Sequence, residues 1–434
     1  MNVRKLALEL LLKTEKAGQY SNIAIDNAIK KNCLDTQDSS LLCVLVYGVI
    51  ERKLTLDYLI NSLSSIPPSK IETETRNILR MGLYQLIYLD RIPPHAAINE
   101  SVELCSKRSR GFANAILRNY QRKAGEFVFP SKEKSPVEYL SVVYSFPTAI
   151  CEKFSQIFGF EKAEKILEAF CKEPSMTLRV NTLKISRDDL IDNLTEKGIS
   201  ASTAPLSPQG IKVENASPAA VGIDEGLCIV QDEASQLCVL ALGAKEGDKV
   251  LDICACPGSK SFGAAIEMGD KGEIRSFDLH ENKLSLIHSG AERLGISIIK
   301  TDARDGRVFD EKLEGYADKI ICDVPCSGFG VMAKKPEIRY KDPKESSGLP
   351  QIQYDILCNS ARYLKTGGVL VYSTCTLFPE ENEKNIEKFL ASHKNFEFCD
   401  FEVGGIASKD GMITLNPYDH GTDGFFIAKL RRID

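Results

Sequence analysis

Hydrophobic periodicity divides the chain into a helical front and an alternating back, and this division constrains the fold more than any other feature. Up to about residue 125, apolar residues recur every three or four positions in successive segments, which is the spacing of amphipathic helices. From about residue 232, short apolar runs alternate with helical patterns, which is typical of βαβ units and a parallel sheet. The sequence therefore predicts an all-helical N-terminal region followed by an α/β region with a parallel sheet.

Three domains are expected. A chain of 434 residues exceeds what one compact core usually accommodates. We expect an all-helical domain over residues 1–125, a small linking α/β domain over 140–231 and a Rossmann-like domain over 232–434. The residues between 125 and 140 are polar and contain lysines, which favours a linker.

Composition narrows the class of protein. The sequence has no run of 18 apolar residues, so we expect no transmembrane helix and no membrane partner. The start of the chain has the pattern of a folded amphipathic helix rather than of a signal peptide. Fourteen cysteines are then most simply reduced thiols, so we expect a cytoplasmic protein.

Charge is distributed unevenly along the chain. The formal net charge is −5, but residues 1–130 hold 18 Lys+Arg against 13 Asp+Glu, and the remainder holds 37 against 47. The N-terminal part is therefore the basic one. This asymmetry is compatible with a nucleic-acid contact near the N-terminus.

A nine-residue segment predicts a ligand-binding turn. Asp252-Ile-Cys-Ala-Cys-Pro-Gly-Ser-Lys260 follows the first predicted strand of the sheet and leads into a helix, and open α/β sheets bind ligands at that edge. Gly258 permits close approach to the backbone, and the helix start offers free N–H groups. A plain βα turn is the alternative. A P-loop is excluded because Ser259 stands where a glycine should precede the lysine.

Acidic residues follow the next two predicted strands. Asp278 ends the second strand and Asp302 ends the third. A carboxylate in the first position can accept hydrogen bonds from ribose hydroxyls, and one in the second could meet the exocyclic amine of an adenine. Either aspartate alone could be a helix N-cap. Together with the turn, they indicate a cofactor that contains adenosine.

Two cysteines follow neighbouring predicted strands at the same edge. The fourth strand leads into Asp323-Val-Pro-Cys326 and the fifth into Ser373-Thr-Cys375. One alternative is that both thiols are small core residues. Another is a zinc site formed by Cys254, Cys256, Cys322 and Cys326, which the spacing disfavours because zinc sites prefer loop cysteines three to five positions apart.

These two cysteine motifs resemble the RNA cytosine-C5 methyltransferases of the Sun/Fmu type, in the RsmB/NOP family of class I enzymes. Further matching segments begin at Arg179 (Arg-Val-Asn-Thr-Leu), Gln231 (Gln-Asp-Glu-Ala-Ser), Pro379 (Pro-Glu-Glu-Asn) and Asp423 (Asp-Gly-Phe-Phe). The resemblance covers residues 140–434. It departs from the family in the cofactor turn, where Cys256 and Ser259 replace an alanine and a glycine.

The resemblance implies a cofactor, residue roles and a reaction. Cys375 would attack C6 of the cytosine, Cys326 would assist product release, Asp323 would hydrogen-bond the N3 and N4 edge of the base, and Lys260 would lie near the base or the cofactor. S-adenosylmethionine would be the cofactor and no metal is expected. Its binding residues would be Cys254, Ala255, Cys256, Pro257, Gly258, Ser259, Lys260, Asp278, Asp302 and Asp323.

The helical front resembles the RNA-binding domain of the NusB antitermination factor, chiefly through Gly111-Phe-Ala-Asn-Ala-Ile-Leu-Arg-Asn119. This combination of domains resembles enzymes that methylate cytosine 967 of bacterial 16S rRNA. The expected partner is therefore 16S rRNA, naked or in a partly assembled small subunit, bound by a monomer, with no DNA partner. The alternatives are a NusB-like antitermination or assembly factor with an inactive catalytic domain, a DNA cytosine methyltransferase and a small-molecule methyltransferase.

Overall fold

Seven helices open the chain in the computed structural model, which describes residues 2–17, 21–214 and 216–434. Some have clear local starts: the Asp35 carboxylate accepts a hydrogen bond from the Asp38 backbone N–H at the third helix, and Pro94 occupies the first turn of the sixth. The all-helical prediction is confirmed. The helices are α1 (Val3–Ala17), α2 (Ser21–Asn32), α3 (Thr36–Glu51), α4 (Lys53–Leu63), α5 (Thr73–Tyr88), α6 (Pro94–Leu104) and α7 (Arg110–Arg122).

The helices share one apolar core with a charged cluster at its side. Gly48 of α3 lies so close to α5 that a Cβ atom would fall 2.0 Å from the Tyr84 ring. The buried Arg80 guanidinium lies 2.7 Å from carboxylate oxygens of both Glu15 and Asp57, as a buried cation requires. Fully buried apolar members of the core include Leu42, Leu45, Val46, Leu56, Ile60, Leu79, Leu83 and Leu117.

Three more helices belong to the same compact unit: α8 (Pro136–Tyr144), α9 (Thr148–Phe158) and α10 (Phe160–Ala169). The prediction of a linker over residues 125–140 is wrong at its end, because α8 begins at Pro136. Proline suits the first turn of a helix, and the side chains of Leu140 and Val142 behind it are buried.

A distant segment completes this unit. Met332–Pro343 belongs to the helical unit, although the residues before and after it in the chain belong to the second unit. Tyr340 donates its hydroxyl hydrogen to the Ile50 carbonyl at 2.6 Å, and the fully buried Arg339 donates to the Glu51 carbonyl at 3.0 Å. The C-terminal end of α3 is thereby capped by a segment nearly 300 positions later in the chain.

The second unit begins with a small antiparallel sheet of order β2-β3-β1-β4. Its strands are β1 (Met176–Val180), β2 (Ser200–Thr203), β3 (Gly210–Glu214) and β4 (Cys228–Val230), and α11 (Arg187–Glu196) packs on it. The expected small α/β part of the chain is present. Its strand β2 is polar and mostly exposed, and it has no apolar pattern.

The large sheet has the order β10-β14-β9-β8-β5-β6-β7, with β13 paired to β14. Strands β5 to β9 are mutually parallel, whereas β14 runs antiparallel to β9, so the final strand departs from the parallel pattern expected from βαβ units. The strands are β5 (Lys249–Asp252), β6 (Glu273–Asp278), β7 (Ile299–Ala303), β8 (Ala317–Asp323), β9 (Leu364–Thr374), β10 (Phe396–Phe398), β13 (Met412–Leu415) and β14 (Phe425–Arg432), beside a separate pair, β11 (Glu402–Val403) and β12 (Ile406–Ala407).

Helices cover both faces of this sheet, as parallel strands require. Val250 of β5 belongs to one apolar core and its neighbour Leu251 to the other, because successive strand side chains point to opposite faces. The predicted Rossmann-like fold is confirmed. Its helices are α12 (Glu233–Leu242), α13 (Ser259–Glu267), α14 (Leu284–Leu294), α15 (Leu349–Arg362), α16 (Glu383–Ser392) and the short α17 (Pro417–His420).

None of the helices in the described ranges is both long enough and apolar enough to cross a bilayer.

Candidate active site

The carboxyl ends of β5 to β9 meet at one edge of the sheet. Next to β5 lie β6 on one side and β8 on the other, so the chain order reverses between β5 and β8. In open α/β sheets, such a reversal opens a crevice in which ligands bind. The residues predicted for the site lie at the carboxyl ends of these strands or follow them.

The turn after β5 brings backbone groups to this edge. Gly258 adopts φ of +107° at the start of α13, and a Cβ atom there would lie 2.6 Å from the Phe262 ring, so only glycine fits without strain. The turn is held by two backbone hydrogen bonds of 2.7 Å, from Gly258 N–H to the Ala255 carbonyl and from Ala255 N–H to the Phe277 carbonyl.

The structure brings the two motif cysteines into contact. Strands β8 and β9 are paired in parallel with Asp323 opposite Ser373, so the loops that follow them start side by side. The Sγ atoms of Cys326 and Cys375 are 3.0 Å apart, and the Cys375 backbone N–H donates to the Cys326 sulfur at 3.2 Å. The contact with Cys375, together with burial, raises the pKa of the Cys326 thiol well above its usual value.

Glu381 fixes the Cys326 loop through hydrogen bonds. Its carboxylate, which is only 2% exposed, accepts hydrogen bonds from the Ser327 backbone N–H at 3.0 Å and from the Ser327 hydroxyl at 2.5 Å. It also accepts one from the Gln353 amide at 2.8 Å, and that amide donates to the Pro325 carbonyl as well. Both residues that flank Cys326 are therefore tied to one buried carboxylate.

Asn382 holds the Cys375 loop in the same way. Its side-chain oxygen accepts from the Thr374 hydroxyl at 2.6 Å, and its side-chain N–H donates to the Thr376 carbonyl at 3.0 Å. Adjacent residues of one motif thus position the two cysteine loops. This Pro-Glu-Glu-Asn segment was one of the matches to the family in the sequence, but no role was predicted for it.

Lys260 and Asp323 form an ion pair beside the cysteines. The Lys260 ammonium lies 2.6 Å from one carboxylate oxygen, and the other oxygen accepts from the Ser373 hydroxyl at 2.7 Å. Burial acts to lower the pKa of Lys260, but attraction to Asp323 outweighs it and raises the pKa above its usual value. Lys260 is therefore a buried cation held beside the Asp323 side chain.

Asp252, the last residue of β5, lies near this pair. It is almost fully buried, and its Oδ2 accepts from the Ser261 hydroxyl at 2.6 Å. Its Oδ1 has no hydrogen-bond partner among the described residues. Burial raises the pKa of Asp252 to about 7. Through Ser261, Asp252 contacts the first turn of α13.

Asp278 and Asp302 occupy different surroundings. The Asp278 carboxylate accepts from the Cys256 backbone N–H at 3.3 Å and so contacts the turn, as expected of a cofactor-binding residue. Asp302 accepts from the Arg304 guanidinium at 2.8 Å and pairs in register with Phe277 rather than with Asp278. The structure therefore brings Asp278, but not Asp302, into contact with the turn.

Family comparisons agree with this architecture. A family described as "16S rRNA methyltransferase RsmB/F" matches residues 239–431, the NusB family matches residues 1–122, and an RsmF/B-like ferredoxin-like domain matches residues 146–220. The chain is 38% identical over 444 residues to the "probable ribosomal RNA small subunit methyltransferase B" of Bacillus subtilis, which covers 99% of both chains. The chain belongs to the RsmB/F methyltransferase family.

Other members and solved structures support the assignment. The "ribosomal RNA small subunit methyltransferase B" of Escherichia coli O1:K1 is 32% identical over 99% of this chain and 98% of its own. A crystal structure of PH0851 superposes with a TM-score of 0.81 at 27% identity, covering 99% of this chain and 98% of that one. NSun6 from Pyrococcus horikoshii, solved with SFG, gives 0.59 at 26% identity, covering 67% and 99%.

As an RsmB/F methyltransferase, the chain uses S-adenosylmethionine, and its residues fit this cofactor. Gly258 lets the turn pack tightly against the Phe262 ring, since any Cβ atom there would lie 2.6 Å from it. The unpartnered Oδ1 of Asp252 offers a buried acceptor beneath the turn, and Asp278 presents a carboxylate beside the turn. An amino-acid and ribose moiety needs such a set of backbone groups and carboxylate acceptors.

The remaining predicted turn residues mostly shape the backbone. Burial raises the pKa of the Cys254 thiol well above its usual value, so it is a poor candidate for a reactive group. The Cys256 thiol donates to the Lys283 carbonyl at 3.3 Å, and the Ser259 carbonyl accepts from the Gln231 amide at 3.2 Å. Pro257 lies between Cys256 and Gly258. In the ranges that the structure describes, no three His, Cys, Asp or Glu side chains cluster as a metal site would require.

Proposed function

We propose that this protein methylates C5 of one cytosine in 16S rRNA through a covalent bond between Cys375 and C6 of the base. The observation that carries the proposal is the 3.0 Å contact between the Cys326 and Cys375 sulfurs at the cofactor edge of the sheet. Two thiols there have no use in simple methyl transfer to a nucleophilic atom. They do have a use when a base must be activated and then released.

The reaction needs a nucleophile because C5 of cytosine is too weakly nucleophilic to accept a methyl group directly. Addition of the Cys375 thiolate to C6 breaks the aromaticity of the ring and places an electron pair on C5. S-adenosylmethionine supplies the electrophilic methyl group that this electron pair attacks. The donor would leave as S-adenosylhomocysteine. Loss of the C5 proton to water then restores the C5–C6 double bond and expels the thiolate, so that covalent catalysis divides one difficult step into easier ones.

The two cysteines are assigned different roles. The raised pKa of Cys326 keeps its thiol protonated, so it can donate a hydrogen bond to the Cys375 sulfur. A sulfur that accepts such a bond is stabilised as a thiolate, which is the attacking form. We therefore assign Cys375 as the nucleophile and Cys326 as the group that assists release of the methylated base.

Asp323 and Lys260 are assigned to the base edge. The carboxylate of Asp323 can accept from N4–H of cytosine and from N3–H as N3 gains a proton during thiolate addition. The Lys260 ammonium, 2.6 Å away, fixes the orientation of the Asp323 carboxylate. Gly258, Asp278 and Asp302 are proposed to hold the cofactor, although Asp302 would first have to release Arg304.

The target and its setting are also part of the proposal. Relatives named as small-subunit rRNA methyltransferases, together with the resemblance to enzymes of that specificity, support cytosine 967 of 16S rRNA. The base must leave its stack to reach a crevice at a sheet edge. We propose a cytoplasmic monomer in which residues 1–125 bind RNA, residues 140–231 link, and residues 232–434 carry out the methyl transfer.

Methyl transfer to a defined RNA tests this proposal. Purified protein, S-adenosylmethionine and a 16S rRNA fragment containing position 967 should yield 5-methylcytosine at that position, read by bisulfite sequencing. A fragment with uridine at that position is the matched control and should gain no methyl group there. Cofactor and RNA binding without any 5-methylcytosine would favour the alternative of an inactive assembly factor and would overturn the proposal.

A further inference from the structure

Residues 104–125 form the most one-sided charged stretch of the helical unit. They contain no aspartate or glutamate. In a chain of formal net charge −5, such a stretch is unexpected. It holds six cations, which we call the α7 basic surface: Lys107, Arg108, Arg110, Arg118, Arg122 and Lys123.

All six cations are exposed in the full chain. Arg110, Arg118 and Arg122 are separated by eight and four residues along α7, so they lie on one side of the helix. At 1.5 Å per residue, they span about 18 Å. A row of guanidinium groups of this length matches an extended polyanion better than a single small anion.

Neutral groups, rather than carboxylates, orient these arginines. Arg118 donates to the Asn114 side-chain oxygen at 2.9 Å and Arg122 to the Asn119 oxygen at 2.5 Å. Arg110 donates to the Cys105 carbonyl at 3.3 Å. Among the described residues, none of the three forms an ion pair. Their positive charge is therefore pre-oriented but not neutralised, unlike that of Arg80 in the same unit.

We propose that the α7 basic surface binds the phosphate backbone of the substrate RNA. Arginine forks suit phosphate oxygens, and backbone contacts position a nucleic acid without reading its sequence. The inference rests on the proposed function in that it takes the ligand to be the RNA substrate. It adds where that RNA is held.

The opposite side of α7 argues against an anionic membrane as the ligand. Ala113, Ile116 and Leu117 on that side are buried in the helical core. A helix that lies on a membrane needs an apolar side to insert below the headgroups. Since α7 has already buried its apolar side, only its charged side is available to a ligand.

The salt dependence of RNA binding tests the surface. In the full chain, a triple variant, Arg110→Gln, Arg118→Gln and Arg122→Gln, removes three charges while keeping long, helix-compatible side chains. Each phosphate contact contributes roughly 0.7 to the slope of log K against log salt for single-stranded RNA. Three contacts then contribute about 2, so between 50 and 200 mM salt the variant should lose about 20-fold less affinity than the parent.

A matched variant controls for net charge. Lys197→Gln, Lys312→Gln and Lys394→Gln remove three exposed cations that lie outside the helical unit and should leave the salt slope unchanged. Cofactor affinity and the rate at saturating RNA should also be unchanged in the α7 variant. The single change Arg118→Gln should lower the slope by about 0.7 and serves if the triple variant folds poorly.

Three results would overturn the surface assignment. The first is an α7 variant that keeps the parental salt slope and RNA affinity. The second is a control variant that changes the salt slope as much as the α7 variant does. The third is an α7 variant that loses binding to phosphatidylserine vesicles but still binds RNA as the parent does. The binding arm needs no catalysis. A lower salt slope in the α7 variant, with no 5-methylcytosine formed by the parent, would therefore support the surface and overturn the proposed reaction. Methylation by the parent, with an unchanged salt slope in the α7 variant, would support the reaction and overturn the surface.

Discussion

Replacement of Glu381 by alanine separates the two cysteine roles. Glu381 contacts neither sulfur but fixes both residues that flank Cys326, through Ser327 and through the Gln353 amide. The Cys375 loop is held separately by Asn382. The change should therefore disturb product release more than thiolate addition, and Glu381 is a positioning residue rather than a catalytic one.

The magnitude follows from the hydrogen bonds that are lost. Hydrogen bonds to a charged group contribute about 1.5–3 kcal/mol each, and a buried donor without a partner costs about 1–3 kcal/mol. The Ser327 hydroxyl can turn to other acceptors, and the Gln353 amide keeps the Pro325 carbonyl, so the Ser327 backbone N–H carries most of the loss. We expect the free energy of unfolding to fall by about 3 kcal/mol. Turnover should fall about 10- to 100-fold, since each 1.4 kcal/mol is a factor of ten.

The assay compares turnover with a covalent intermediate. In Glu381→Ala, steady-state methylation should fall while an RNA–protein adduct that survives denaturation accumulates. Glu381→Gln should restore most turnover because its carbonyl oxygen can still accept from the Ser327 backbone N–H. The control variant is Glu387→Ala. Glu387 is exposed and lies on α16, the helix that begins two residues after Glu381. Unchanged turnover, or equal loss of turnover and adduct in a stably folded variant, would refute the reasoning.

Three further predictions concern the cofactor edge. Gly258→Ala should weaken S-adenosylmethionine binding at least 10-fold in titration calorimetry, because its Cβ would lie 2.6 Å from Phe262; wild-type affinity would contradict the strained-turn account. Asp252→Asn should be stabilised relative to the parent above pH 7 but not near pH 4. Burial raises the pKa of Asp252 from 3.8 to about 7, so the parent loses stability as pH rises from about 4 to about 7, by roughly 4 kcal/mol in total; a gap in urea denaturation that does not change with pH would disagree. Asp323→Asn should lower kcat more than 100-fold with cofactor affinity nearly unchanged, since the Lys260 pair is assigned to the base; equal loss of both would place Asp323 at the cofactor instead.

The fold could be predicted largely because its signals are local. Strand Glu273–Asp278 and the helix that begins at Ser259 follow from periodicity and from the turn between them. The closeness of Cys326 and Cys375 follows from a general rule, since the carboxyl ends of neighbouring parallel strands share an edge. Because Asp323 and Ser373 are paired in parallel, the loops that follow them start side by side, and the Cys326 and Cys375 sulfurs lie 3.0 Å apart.

Other features depend on contacts between distant parts of the chain. Nothing in the local pattern around Arg339 shows that its segment packs at the end of α3, nearly 300 residues earlier. Strand β2 is recruited by pairing with β3 rather than by its own apolar residues. The role of Glu381 depends on a loop 54 positions earlier. Asp302 was expected to contact the adenine of the cofactor, but its carboxylate accepts a hydrogen bond from the nearby Arg304.

Mapping the covalent adduct in Cys326→Ala tests the central claim most directly. After incubation with S-adenosylmethionine and the RNA fragment, denaturation and digestion, mass spectrometry should find the nucleotide attached to the sulfur at position 375, and Cys375→Ala should form no adduct. An adduct on Cys326 in the Cys375→Ala protein, or normal turnover by Cys326→Ala without any adduct, would contradict the assignment of the nucleophile.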